Sequence, residues 1–180
     1  MKLDLTGFSL RSFRPEDVSS LTENIGTYSV ARNMSLIPHP YTREHAEQWI
    51  ETASGREPET DFAITIGDQV VGGIGMCLTD PDRTGVGRYA AEVGYWLGEK
   101  YWGRGIMTRA VQSFTDWAFT GLDLVRIQAA VYARNPASAR VLQKAGFTFE
   151  GCLRAAYFKD GEFIDGLLYA KVREVAQVQQ

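Results

Sequence analysis

Several segments of the chain carry the apolar runs or the apolar–polar alternation that is typical of β-strands. The predicted strands are 8–13, 61–66, 69–78, 89–97, 124–132, 149–158 and 163–171. The dipeptides Gly67-Asp68 and Asp160-Gly161 each separate two of these strands, and both favour tight β-hairpins. Strands therefore dominate the predicted structure, and two pairs of them are predicted hairpins.

Helical periodicity and helix-start signals lie in the intervals between these strands. Pro15 suits a first helical position, Thr42 is a candidate N-cap, and Asn135-Pro136 combines a cap with a proline. The predicted helices begin at Pro15, after Thr42, at Ile106 and at Pro136; the last three end at Thr52, at Phe119 and before Gly146. This order predicts one α+β domain over residues 1–180, with a mixed, mostly antiparallel sheet and flanking helices. Residues 172–180 are predicted to form a polar, flexible tail.

Bulk composition is that of an ordinary globular protein. The chain has 180 residues, 44% of them hydrophobic and 23% charged, which is long enough to bury a full core. Its net charge of −3 argues against a nucleic-acid partner, which would call for a basic face. No apolar run approaches the roughly 18 residues of a membrane-spanning helix. The N-terminus has no apolar signal segment, so we predict a cytoplasmic protein without a membrane partner.

The cysteines and histidines do not form a metal-binding pattern. Cys77 and Cys152 lie far apart in apolar, strand-like runs, so we predict two buried free thiols. His39 and His45 belong to no cluster with ligand spacing, so no metal is predicted.

The segment 99–108 joins a predicted strand to a predicted helix through a glycine-rich turn. Gly103 and Gly105 let the backbone approach an anion closely, and Lys100 and Arg104 add positive charge. The turn lacks a third glycine at Thr108, so it does not match a dinucleotide fold, and the chain contains no nucleoside-triphosphate loop. The pattern predicts a site for another phosphorylated ligand, or else an ordinary basic turn.

Three separated segments together resemble the GNAT superfamily of acetyl-CoA-dependent N-acetyltransferases. Residues 100–105 match its [QR]-x-x-G-x-[GA] signature except that Lys100 replaces glutamine or arginine, and residues 135–147 are similar to its second conserved block. Residues 38–42, 91–97 and 160–165 are similar to the branch that acetylates the N-terminal amines of ribosomal proteins.

The resemblance implies acetyl-CoA as cosubstrate. It implies a pyrophosphate on the backbone of 102–105 and the helix start, a pantetheine arm beside the strand 93–97, and an oxyanion donor at the N–H of Val93 or Gly94. The implied cofactor-binding residues are Val93, Gly94, Tyr95, Leu97, Lys100, Trp102, Gly103, Arg104, Gly105, Ile106, Met107, Thr108, Asn135 and Ser138.

Glu92 is the best candidate for a general base. In a strand of period 2 it shares a face with Ala90, Gly94 and Trp96, and a carboxylate in an otherwise uncharged strand calls for a partner or a function. The alternatives are a solvated strand face or a structural ion pair.

The resemblance implies that Ser138 protonates the CoA sulfur. An exposed serine early in a helix is the alternative, and Tyr132 and Tyr157 are other hydroxyl candidates. The predicted amine-binding residues are His39, Tyr41, Tyr157 and Glu92.

The predicted activity is transfer of an acetyl group to a primary amine by direct attack, with a protein N-terminal α-amine as the first acceptor class. The alternatives are a small-molecule amine, such as a polyamine, an amino acid or an antibiotic, and a non-catalytic acyl-CoA-binding module. The predicted oligomeric state is monomer or homodimer, with the last hairpin as a pairing edge.

Overall fold

One eight-stranded sheet organises residues 2–174, which are the residues that the computed structural model of the protein describes. The strand order is β1-β2-β3-β4-β5-β6-β8-β7. Every neighbouring pair is antiparallel except β5 and β6, which are parallel. The strands are β1 (Lys2–Leu5), β2 (Phe8–Arg11), β3 (Asp61–Ile66), β4 (Gln69–Leu78), β5 (Ala90–Leu97), β6 (Arg126–Tyr132), β7 (Thr148–Lys159) and β8 (Glu162–Val172). The mixed, mostly antiparallel α+β fold predicted from sequence is therefore confirmed.

Helices cover both faces of the sheet and divide the interior into two cores. On one face, α4 (Ile106–Gly121) and α5 (Pro136–Lys144) pack in the first core, which contains the fully buried side chains of Phe114, Ile127 and Phe62. On the other face, α1 and α3 pack in the second core, where Leu21 and Ile50 lie with Val70. The helices are α1 (Val18–Ile25), α2 (Tyr28–Ala31), α3 (Arg43–Ser54), α4 (Ile106–Gly121) and α5 (Pro136–Lys144), with 3-10 turns at Pro15–Asp17 and Glu99–Tyr101. No helix within residues 2–174 is long and apolar enough to cross a membrane.

Two elements are absent from the sequence prediction. The strand β1 has only four residues, which are partly exposed, and it becomes recognisable through its pairing with β2. The helix α2 also has four residues, which is too short for a helical period to show. In the predicted tail, Val172 ends β8, and residues 175–180 lie outside the described part of the chain.

The predicted burial of both cysteines is wrong. Cys77 and Cys152 are free thiols, as predicted, but both are exposed. Each lies on a strand whose outward positions face solvent, and the apolar composition of the run does not reveal which face a given residue takes.

A gap opens in the sheet between β5 and β6. The parallel pairing between them covers only Ala90–Glu92 against Arg126–Gln128, although β5 continues to Leu97 and β6 to Tyr132. The two strands diverge beyond Glu92 and Gln128, so this part of β5 has a hydrogen-bonding neighbour on the β4 side alone.

Candidate active site

The free edge of β5 lines the gap with unpaired main-chain groups. At the end of the strand, the N–H of Gly98 donates to the carbonyl of Val71, at 2.8 Å. Main-chain groups alternate between the two edges of a strand, so the N–H of Gly94 points to β4, whereas those of Tyr95 and Leu97 point into the gap. An extended ligand in the gap could therefore hydrogen-bond to β5 as an added strand does.

The same alternation distinguishes the two predicted oxyanion donors. Val93 directs its main chain to β6, where its N–H is used by the last rung of the ladder, whereas Gly94 directs its N–H to β4, so neither N–H is left free in the gap. Gly94 contributes open space instead, because a Cβ built there would meet nothing within 4 Å. That space lies on the face of the sheet that carries Glu92.

The glycine turn before α4 has the backbone conformation that its sequence predicts. Gly103 and Gly105 have φ of +74° and +71°, in the left-handed region that favours glycine, and the space around both Cβ positions is open. Gly105 is the N-cap of α4, so the free N–H groups of the first helical turn and the positive end of the helix dipole face the turn. This arrangement fits a phosphate group.

Other predicted cofactor residues reach this turn through their main chain. Ile106 and Met107 are buried in the first core, so only their N–H groups are available to a ligand. Thr108 is partly exposed on the same turn of α4. The indole N–H of Trp102 donates to the carbonyl of Leu97, at 2.7 Å, and this bond holds the turn against the end of β5.

The two basic side chains of the turn have protein partners. Lys100 Nζ lies 2.8 Å from Glu23 Oε1 of α1, and this hydrogen bond raises the pKa of Lys100. Arg104 donates to the carbonyl of Lys100, at 2.9 Å, and its guanidinium lies 5.6 Å from the ring of Tyr101. A phosphate at this turn would therefore be held mainly by backbone N–H groups and the helix dipole. The partner Glu23 is distant in sequence, and no local pattern indicated it.

Ser138 lies at the start of α5 and is held there by two neighbours. The Oδ1 of Asn135 accepts from the N–H of Ser138, at 3.2 Å, which confirms the predicted cap. The phenol of Tyr95 donates to the Ser138 carbonyl, at 3.1 Å, and lies 2.8 Å from the Ser138 hydroxyl. Burial raises the pKa of Tyr95, so this phenol stays protonated. The contact links α5 to β5 across the gap.

Glu92 is exposed at the point where β5 and β6 separate. Gln128 Nε2 donates to Glu92 Oε2, at 3.3 Å. The pKa of Tyr157 is raised mainly by burial and further by the charge of Glu92 and by Tyr132, so the structure brings these side chains into one electrostatic neighbourhood. The rings of Tyr132 and Tyr157 are 4.9 Å apart, centroid to centroid.

A cavity of about 400 Å³ adjoins this cluster and contains the predicted residue His39. Ser35 also lines the cavity, and its hydroxyl accepts from the Tyr132 phenol, at 3.0 Å, which connects the cavity to the Glu92 cluster. Tyr41, in contrast, is buried in the second core with its ring 5.4 Å from His45, and burial raises its pKa. The cavity lined by His39 is therefore linked through Ser35 to Tyr132, whose ring contacts Tyr157, whereas Tyr41 packs in the interior.

Comparisons with known proteins agree on one family. The acetyltransferase (GNAT) domain family matches residues 8–148. An uncharacterised N-acetyltransferase, p20, of Bacillus licheniformis is 31% identical over 92% of both chains. A ribosomal-protein-serine acetyltransferase of Escherichia coli is 33% identical over 62% of this chain and 59% of its own. The crystal structure of a ribosomal-protein-S5-alanine acetyltransferase from Vibrio fischeri superposes with a TM-score of 0.83, 25% identity and 96% coverage of both chains.

Proposed function

Because the chain belongs to the GNAT acetyltransferase family and is an acetyl-CoA-dependent N-acetyltransferase, we propose that its acceptor is the α-amine of a protein N-terminus. Two similar proteins carry names that specify ribosomal-protein acetylation, which supports this acceptor class. The observation that carries the proposal is the exposed carboxylate of Glu92, which stands where β5 and β6 separate and the gap begins.

The residues around the gap fit acetyl-CoA. The N–H groups of 102–108 can hold the pyrophosphate, and the free edge of β5 at Tyr95 and Leu97 can hold the pantetheine arm. The open space at Gly94 leaves room for the acyl end beside Glu92. Acetyl-CoA supplies an acetyl group that is activated as a thioester.

Glu92 acts on the amine in this proposal. An exposed carboxylate can hold an ammonium group and accept its proton through one water. An α-amine with a pKa near 8 is about one-tenth neutral at pH 7, which costs roughly 1.4 kcal/mol, whereas a lysine amine costs about 4.6 kcal/mol. A carboxylate base therefore suffices for an α-amine, and lysine is the harder acceptor.

Ser138 acts at the opposite end of the reacting groups. Its hydroxyl is held beside the protonated phenol of Tyr95, at 2.8 Å, on the first turn of α5. From this position Ser138 Oγ can give a proton to a departing sulfur and regain one from water.

The cytoplasmic location of the protein and its state as a monomer or homodimer remain predictions from the sequence.

The test is an acceptor screen on the purified protein with acetyl-CoA. Peptides with a free α-amine, the same peptides blocked at the N-terminus, free amino acids and spermidine are compared by mass spectrometry and by release of the CoA thiol. We expect acetylation of the unblocked peptides. We also expect Glu92→Gln to lower kcat/KM about 100-fold, the lower end of general-base contributions. Glu51→Gln, at an exposed position of α3, is the matched control.

Each other outcome has a distinct meaning. Preference for spermidine or for free amino acids would replace the protein acceptor with a small-molecule amine. Full activity of Glu92→Gln would remove the assigned base. Binding of acetyl-CoA by calorimetry without turnover of any amine would favour a non-catalytic acyl-CoA-binding module.

A further inference from the structure

We propose that Gln128 is a positioning residue for Glu92, and that Arg126 in turn orients Gln128. The inference rests on the proposed role of Glu92 as the base, and it adds the groups that hold this carboxylate in place. It begins from a chain of hydrogen bonds that joins side chains of β5, β6 and β7 and passes over β8, which lies between β6 and β7.

The pairing register places Gln128 beside Glu92. The two residues are partners in the last rung of the parallel ladder between β5 and β6, so their side chains project from the same face of the sheet. Gln128 Nε2 lies 3.3 Å from Glu92 Oε2. Within residues 2–174 this is the one hydrogen bond made to the Glu92 carboxylate.

Arg126 fixes which end of the Gln128 amide faces Glu92. Its Nε and Nη2 each lie 3.2 Å from Gln128 Oε1, and a guanidinium offers donors alone, so it selects the amide oxygen. The amide N–H₂ is therefore left for Glu92. A reversed amide would set nitrogen against the guanidinium and oxygen against the carboxylate, two repulsive contacts in place of two attractive ones.

Glu150 of β7 holds Arg126 in this position. Its Oε1 and Oε2 accept from Arg126 Nη1 and Nη2 at 2.9 and 2.5 Å, in the parallel two-bond geometry that fixes a guanidinium plane. The side chains of Glu150, Arg126 and Gln128 thus form a braced row that ends at Glu92.

The position of Glu92 in the sheet explains why the reaction would benefit from a side chain that holds its carboxylate. Glu92 stands where the sheet opens, so few packed neighbours restrict its rotamers. A donor on Oε2 holds the carboxylate and leaves Oε1 for the incoming amine or its bridging water. Loss of this donor is expected to lower the fraction of correctly oriented base, which affects kcat more than acetyl-CoA binding.

The test compares Gln128→Met, which keeps side-chain length and removes the donor, with the wild type and with Gln69→Met. Gln69 is exposed at the β3–β4 turn and provides a matched control. We expect Gln128→Met to lower kcat on an unblocked peptide about fivefold to tenfold, with the Kd for acetyl-CoA within about twofold of wild type. In a Glu92→Gln background, Gln128→Met is expected to have no further effect, because it acts through the missing base.

The double-variant cycle separates the two assignments. The expected loss in Glu92→Gln together with no effect of Gln128→Met overturns the positioning role and leaves the base in place. Equal losses that multiply in the double variant show that Gln128 acts independently of Glu92 and also overturn it. Full activity of Glu92→Gln overturns the base and, with it, the positioning role.

A second variant keeps the test valid if Gln128→Met does not fold. Arg126→Met leaves Gln128 in place but frees its amide to rotate, so we expect a smaller loss of kcat, about twofold to threefold. This loss should also vanish in the Glu92→Gln background. A loss that persists there contradicts the proposed row. Thermal melting of each variant establishes that the assay temperature lies below its transition.

Discussion

Replacing Gly103 by asparagine and, separately, by aspartate separates the charge requirement of the glycine turn from its backbone requirement. Both side chains are nearly the same size, and both residues tolerate a positive φ better than other non-glycine residues do. Gly103 has φ of +74°, and a Cβ built there meets nothing within 4 Å, so a side chain can begin at this position without a clash at its Cβ. The two variants therefore differ mainly by one negative charge next to the proposed pyrophosphate site.

The size of the effect follows from Coulomb's law. Either substitution costs about 1 kcal/mol of stability for a left-handed backbone, and this cost is common to both. Two unit charges about 4 Å apart in water interact by roughly 1 kcal/mol. An aspartate beside two phosphate charges therefore weakens the binding free energy of acetyl-CoA by about 2 kcal/mol. This corresponds to a Kd for acetyl-CoA about thirtyfold weaker in Gly103→Asp than in Gly103→Asn.

The assay is calorimetric titration of acetyl-CoA into both variants at low and high salt. The difference between them should shrink at about 1 M salt, where the Debye length falls to roughly 3 Å. The same pair of substitutions at Gly67 provides the control, because Gly67 has φ of +58° and open space but lies in the β3–β4 turn. Equal affinities of Gly103→Asn and Gly103→Asp would refute the placement of the phosphates at this turn.

Two further predictions concern the start of α5 and the second core. Ser138→Ala should lower kcat about 100-fold, the lower end of general-acid contributions, with little change in the Kd for acetyl-CoA. Tyr95→Phe should have a smaller effect in the same steady-state assay, and an unchanged kcat in Ser138→Ala would remove Ser138 as the acid. Arg11 and Asp17 form a two-bond ion pair with both contacts at 2.7 Å and side chains 8% and 3% exposed. Arg11→Met should therefore cost about 3–5 kcal/mol in urea unfolding, because it leaves a buried carboxylate without its partner. The double variant Arg11→Met/Asp17→Leu should recover part of that loss, and a double variant no more stable than Arg11→Met would contradict this explanation.

Local signals account for the features that sequence reasoning obtained correctly. Asn135 caps α5, and Thr42 caps α3 by accepting from the N–H of His45. Gly103 and Gly105 adopt the positive φ that a glycine-rich turn indicates. Each of these features is decided by interactions within a few residues, so the sequence window that shows the signal also contains its cause.

Features that depend on contacts between residues distant in the sequence could not be predicted from local sequence patterns. Lys100 pairs with Glu23, which lies in another helix, and this pairing occupies the side chain that the motif assigns to phosphate. Burial of Tyr41 follows from the packing of α1 and α3 into the second core. The exposure of Cys77 follows from its place near the end of β4, directly opposite the exposed Glu92 of β5. Pattern and propensity do not contain these contacts, because they are set by how the elements pack together.

The strand β5 separates features that can be predicted from the sequence from those that require the structure. Period 2 assigns Glu92 and Gly94 to one face and Val93 to the other, and this parity is readable from sequence alone. Parity does not say which edge of the strand is free, because that depends on where β6 stops pairing, a register between strands about 35 residues apart. Once the ladder is known to end at Glu92, the same parity turns the Val93 main chain to β6, turns that of Gly94 to β4, and leaves the N–H groups of Tyr95 and Leu97 facing the gap. The end of a short parallel ladder thus decides which neighbouring strand each of these two main chains faces, a distinction that the sequence left open.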